Sequence, residues 1–135
     1  MNTTWLAVIG FHQPGWFGYS MLHKSAQNLN VGKECLENGQ YDAAASRIYY
    51  AVFQAVLNWA RAKKGFGERR DGVHGAIARL MNEGTSSYQY HIAFLKARRL
   101  REKADYDPDP VTMEELDKLL PSCESIIDFY KSKVE

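Results

Sequence analysis

The sequence predicts an all-α fold, an up-and-down helical bundle of four core helices plus a shorter one, on three observations. Apolar residues recur at three- and four-residue intervals over most of the chain beyond residue 20. No stretch alternates apolar and polar residues as a half-buried strand does. Gly, Pro and Asp–Pro punctuation cuts the chain into five periodic segments joined by short connections, which favours antiparallel neighbours.

The elements follow in order. Residues 1–20 stand apart: Trp5, Phe11, Pro14, Trp16 and Phe17 lie among four Gly or Pro residues without a helical period, and we read them as an atypical segment, an appendage to a domain of residues 21–135. Met21 is a candidate alternative start and opens a helix to about Asn38, with Leu22, Ala26, Leu29 and Leu36 on one face and Gly39 as its stop. The second helix runs from Ala43 to about Lys63, with Asp42 as candidate cap and Gly65 after its end. It carries one stripe of Tyr41, Ala44, Ile48, Val52, Ala55 and Trp59 and a second of Tyr49, Phe53, Val56 and Ala60, so it is expected to be central. A short helix over about Val73–Glu83 has Asp71 as candidate cap and Gly84 as terminator. The fourth covers about Ser87–Asp105 and ends at Asp107–Pro108–Asp109–Pro110. The last begins at Thr112, with Glu115 three residues on completing a capping box, and Pro121 is expected to kink or split it.

Composition bounds the function. A chain of 135 residues with 45% hydrophobic and 24% charged residues is ordinary for one globular domain. A net charge of +1 says nothing about partners, so any attraction to nucleic acid must come from a local patch. Cys35 and Cys123 lack metal-ligand spacing and fit buried free thiols in a reducing compartment, which gives a cytoplasmic expectation. The longest apolar run, near Trp5–Phe11, is well short of the ~20 residues a membrane span needs.

Three polar features carry the functional reading. Lys96, Arg98, Arg99, Arg101 and Lys103 put five cations within eight positions, a patch suited to phosphates or, equally, to a solvated helix face. Arg47, Gln54, Asn58 and Arg61 project from one side of the second helix as a polar seam. Arg47 sits among alanines and aromatics, where it needs a cleft or a partner, with Asp105 as the candidate for an internal salt bridge. His74 opens the third helix near Arg69 and Arg70, whose charge would lower its basicity and suit it to proton transfer, although a capping or surface role explains it as well. His12, His23 and His91 have no metal-ligand spacing, no metal is expected, and no Walker or Rossmann loop or nucleophile elbow is present.

Four blocks in order carry a family resemblance: Gly39–Gln40–Tyr41–Asp42–Ala43–Ala44; Arg47–Ile48–Tyr49–Tyr50–Ala51–Val52–Phe53; Val73–His74–Gly75; and Leu100–Arg101–Glu102–Lys103–Ala104–Asp105–Tyr106. From about Leu22 to Val134 the chain resembles the HEPN domain family, in particular the small bacterial and archaeal members that sit beside a minimal nucleotidyltransferase. The resemblance implies four core helices plus a shorter one, a homodimer with functional residues in a cleft near its interface, and no cofactor. Many members are metal-independent ribonucleases or toxins marked by an arginine followed after four to six residues by a histidine. Here no histidine follows Arg98, Arg99 or Arg101, and Gln54 stands at a second position where relatives carry histidine. The one literal match, Arg69 with His74, lies outside the family's usual place.

The resulting expectation is a nucleotide- or RNA-binding module of a toxin–antitoxin-type system with a degenerate ribonuclease motif, partnered by a minimal nucleotidyltransferase. Its binding residues are Arg47, Tyr50, Gln54, Arg98, Arg99, Arg101, Asp105 and Tyr106. The alternatives are a metal-independent ribonuclease toxin with Arg69 and His74 as catalytic pair, in which Tyr106 is also the site where a partner attaches AMP, and a purely structural interaction protein.

Overall fold

The computed structural model describes residues 15–68, 71–83 and 88–135, with side chains from residue 21 onward. The elements are α1 (Gly15–Glu37), α2 (Tyr41–Lys63), α3 (Val73–Asn82), α4 (Tyr88–Tyr106) and α5 (Met113–Ser132), with no strand among the described residues. The order and lengths make the all-α bundle expected from periodicity, and α2 packs against each of the other four helices.

Why α2 is central follows from its two stripes. Ala44, Val52 and Ala55 of the first and Tyr49, Val56 and Ala60 of the second are fully buried. Each large apolar side chain taken out of water there contributes about 1.5–3 kcal/mol before entropy is charged. Phe94 of α4 and Leu116, Ile126 and Tyr130 of α5 close the core around it. α1 lies close against α2: a Cβ on Gly32 would come within 2.7 Å of Ile48 Cγ1, and the Ser25 hydroxyl donates to the Ala51 carbonyl at 2.6 Å.

Several boundaries differ from the sequence expectation for local reasons. α1 begins at Gly15, six residues before Met21, since the unfavourable propensity of glycine is a weak prior against extension of an existing helix. Asp42 does not cap α2, whose N-cap is Gln40 without a side-chain bond; the Asp42 carboxylate instead accepts from the Val111 N–H at 2.9 Å, tying the α4–α5 loop to the central helix. Asp71 does not cap α3 either, because Gly72 takes that position with a left-handed φ of 65°. Gly84 lies outside the described residues. Thr112 and Glu115 form the reciprocal capping box that their spacing predicts. α5 runs unbroken through Pro121, so the expected split does not occur.

Cys123 is fully buried, its thiol pushed up to about 12 by burial, while Cys35 is half-buried, and both are free. No described helix is long and apolar enough to cross a membrane.

Candidate functional site

The site forms where α3 lies across α2 and α4. Three aromatic residues of α2, Tyr49, Tyr50 and Phe53, share the face that meets His74 at the start of α3. The His74 ring stacks on Phe53 with centroids 4.3 Å apart, and its Nδ1 lies 2.6 Å from the Tyr49 hydroxyl. From α4, Arg101 lies over the Tyr50 ring at 5.5 Å and forms an ion pair with Asp105, one helical turn on, at 3.0 Å. Its buried Nε–H is nevertheless without a directed hydrogen bond, so the carboxylate balances the charge without satisfying that donor. Arg98 approaches Glu102 at 3.8 Å, a loose and partly exposed pair.

Burial first, and the charges of Arg98 and Arg101 second, lower the basicity of His74, while Glu102 opposes them weakly. His74 is therefore neutral at pH 7. Burial raises the Tyr49 hydroxyl well above the usual phenol range, so that group keeps its proton. A fully buried hydroxyl whose hydrogen-bonding neighbour is His74 Nδ1 must donate to it; the reverse arrangement would strand a buried O–H at a cost of about 1–3 kcal/mol. Nδ1 thus accepts, and the proton of neutral His74 sits on Nε2. The ring becomes a hydrogen-bond donor beside two guanidiniums, an arrangement fitted to an anionic oxygen.

The other residues predicted from sequence distribute as follows. Arg69 lies outside the described residues. Arg47 does not pair with Asp105; it donates to Asn28 Oδ1 at 3.1 Å, and Asn28 in turn donates to Gln54 at 2.9 Å, so the polar seam of α2 is joined by a residue of α1. Asn58, further along, is buried with its side-chain nitrogen unpartnered. Tyr50 shares the Arg47–Gln54 face by helical phase and links the seam to Arg101. Arg99 turns to the opposite side of α4, toward α5, with Lys96 and Lys103. Tyr106 is 77% exposed at the end of α4.

Sequence reasoning missed Tyr49, Phe53 and Asn28. Tyr49 was legible in part, because a phenol within a buried stripe must find a hydrogen-bond partner. Among the described residues no three His, Cys, Asp or Glu side chains are grouped to hold a metal ion.

The family model for the HEPN domain matches residues 20–133. Over 117 residues, 86% of this chain and 87% of the other, the chain is 28% identical to a Methanocaldococcus jannaschii protein named "Putative toxin MJ0605". With the match covering α2 to α5 in full and most of α1, and the helices in the order that the resemblance implies, this chain belongs to the HEPN domain family.

Proposed function

We propose that the protein is a toxin-like HEPN module that binds the phosphate of RNA or a nucleotide at the α2–α3–α4 face, without cutting it. The observation that carries this reading is the 2.6 Å contact between the Tyr49 hydroxyl and His74 Nδ1, which favours a neutral Nε2–H donor whose basicity burial and the charges of Arg98 and Arg101 lower. Such a histidine is a poor catalyst in both directions. It has no lone pair on Nε2 with which to take a proton from a ribose 2′-hydroxyl. Giving up the Nε2 proton would leave an imidazolate, unless the buried phenol surrendered its own proton. Binding asks for none of this, and the aromatic floor holds His74 against Phe53 and Arg101 over Tyr50.

A ribonuclease is the second reading, favoured by the same residues meeting in one place. It requires the Tyr49 hydroxyl to rotate so that it accepts from Nδ1–H, which frees the Nε2 lone pair as a base for attack of the 2′-oxygen on phosphorus. The resemblance to a protein named as a toxin supports a role within a toxin–antitoxin pair. The exposure of Tyr106 supports its use as the residue on which a partner nucleotidyltransferase deposits AMP.

One assay separates the readings. Purified protein is incubated with labelled mixed-sequence RNA in EDTA, and binding is followed across a salt series for wild type, Arg98→Ala, Arg101→Ala and His74→Ala. The binding module leaves RNA intact, and loss of one arginine weakens binding and lowers the salt slope by about one ion. Cleavage that disappears in His74→Ala establishes the nuclease instead. Absence of both binding and cleavage rejects the site.

A further inference from the structure

α4 divides its cations between two faces, and the face that Arg98 and Arg101 do not use bounds a separate groove. Between α4 and α5 lies a cavity of about 460 Å³ rimmed by Lys96, Arg99, Lys103 and Lys118. Its floor is aliphatic, from Ile92, Ala93, Leu100 and Leu119. The single carboxylate in its lining, Glu115, is already bonded to Lys103 at 3.1 Å and to its own helix cap. Lys96, Arg99 and Lys118 are exposed and have no ion-pair partner among the described residues. A second cavity of about 290 Å³ continues the groove past Ala93 and Ser122 toward Tyr90, with Pro121 and Ser125 on its α5 side. Along α4 the groove runs from Gln89 to Lys103, about 21 Å at 1.5 Å per residue.

We infer that the α4–α5 groove is a docking site for a protein segment carrying acidic and aliphatic side chains at helical spacing. The four rim cations ask for negative charge, and their excess over Glu115 leaves it unsatisfied within the chain. The length asks for a linear occupant rather than a small ion. The floor chooses between the two linear polyanions. Single-stranded nucleic acid binds through aromatic rings on which its bases stack, and the basic half of the groove has none. The ring at the far end, Tyr90, is stacked on Phe129 with centroids 4.5 Å apart and so offers one face less. Leucine-like side chains on an amphipathic helix fit an aliphatic floor, with carboxylates reaching the rim. A second copy of the chain is the poorer occupant: its acidic corner at Asp107, Asp109, Glu114 and Asp117 presents Tyr106 and Met113, without an aliphatic stripe.

The test uses the whole chain and fluorescein-labelled synthetic peptides of about fifteen residues, a length matched to the groove. The probe has Leu at i, i+3, i+4 and i+7 and Glu elsewhere; one control replaces Leu by Asn and another replaces Glu by Gln. Anisotropy at roughly 100 mM salt should show binding of the Glu/Leu peptide alone. Lys96→Glu and Lys118→Glu should each weaken it about ten-fold or more, Lys118→Gln should weaken it less, and Arg101→Ala, on the other face, should leave it unchanged. Circular dichroism checks that each variant folds. Equal binding of the Glu/Asn peptide, indifference to both charge reversals, or displacement of the peptide by single-stranded RNA with the same loss in Lys118→Glu would overturn the inference. So would sedimentation showing a wild-type dimer that Lys118→Glu dissociates, because the groove would then belong to a second copy.

Discussion

The Tyr49 hydroxyl and His74 Nδ1, 25 residues apart in the chain, meet at 2.6 Å, within reach of the charges of Arg98 and Arg101. This one contact engages Nδ1 of His74 and leaves Nε2 as the nitrogen not bonded to Tyr49, so it bears on whether the proposed face moves protons or only binds.

The tautomer is directly measurable. Long-range 1H–15N correlation spectra of the neutral protein should show the proton of His74 on Nε2 and an unprotonated Nδ1. In Tyr49→Phe that preference should weaken, with a stability loss of about 1–2 kcal/mol in urea denaturation, because the Nδ1 lone pair loses its buried donor. A wild-type spectrum with the proton on Nδ1 would restore His74 as a candidate base.

Stability should fall on the acid side of neutrality through the same residue. The folded pKa of His74 is below its ordinary value of 6.5, so the unfolded chain binds the proton first as pH drops. Its contribution is complete above pH 6.5 and is lost progressively as pH falls from there toward the lowered value. His74→Gln, which does not titrate, should flatten that part of the urea-midpoint profile. An unchanged slope in the variant would locate the acid sensitivity elsewhere.

Gly32 tests the α1–α2 contact. Alanine at this position gains about 1 kcal/mol of helix propensity, but its Cβ would sit 2.7 Å from Ile48 Cγ1 and 3.3 Å from the Ile48 backbone nitrogen. Overpacking of this kind costs about 1–3 kcal/mol, so the net expectation is a destabilised Gly32→Ala with an unchanged helical spectrum. The double variant Gly32→Ala/Ile48→Val, which shortens the branch in the way, should recover part of the loss. A Gly32→Ala protein more stable than wild type would mean that the helices part without cost.

The order of the five helices, the central place of α2 and the capping box at Thr112 were all legible in the sequence, because each depends on residues within a few positions of one another. Local reading failed at Asp42 for the opposite reason, whereas at Asp71 it failed because the neighbouring Gly72 takes the N-cap position. An aspartate before a helix has a short-range use as a cap, and Asp42 was taken instead by the Val111 N–H, 69 positions away.

The cations of α4 show where the line runs. Helical phase alone separates Arg98 and Arg101 from Lys96, Arg99 and Lys103, since a rotation of about 100° per residue places the two groups on different faces. The sequence by itself determined that no histidine follows the arginines at the family's spacing, but its five cations read as one patch, with Arg99 grouped with Arg98 and Arg101, although the helical period already sets them on two faces. Only the tertiary structure decided that one surface meets the His74 aromatic cluster and the other an aliphatic groove on α5. A helix's own period sets the direction in which a side chain leaves it, whereas what it meets depends on how separate helices bury their apolar stripes together.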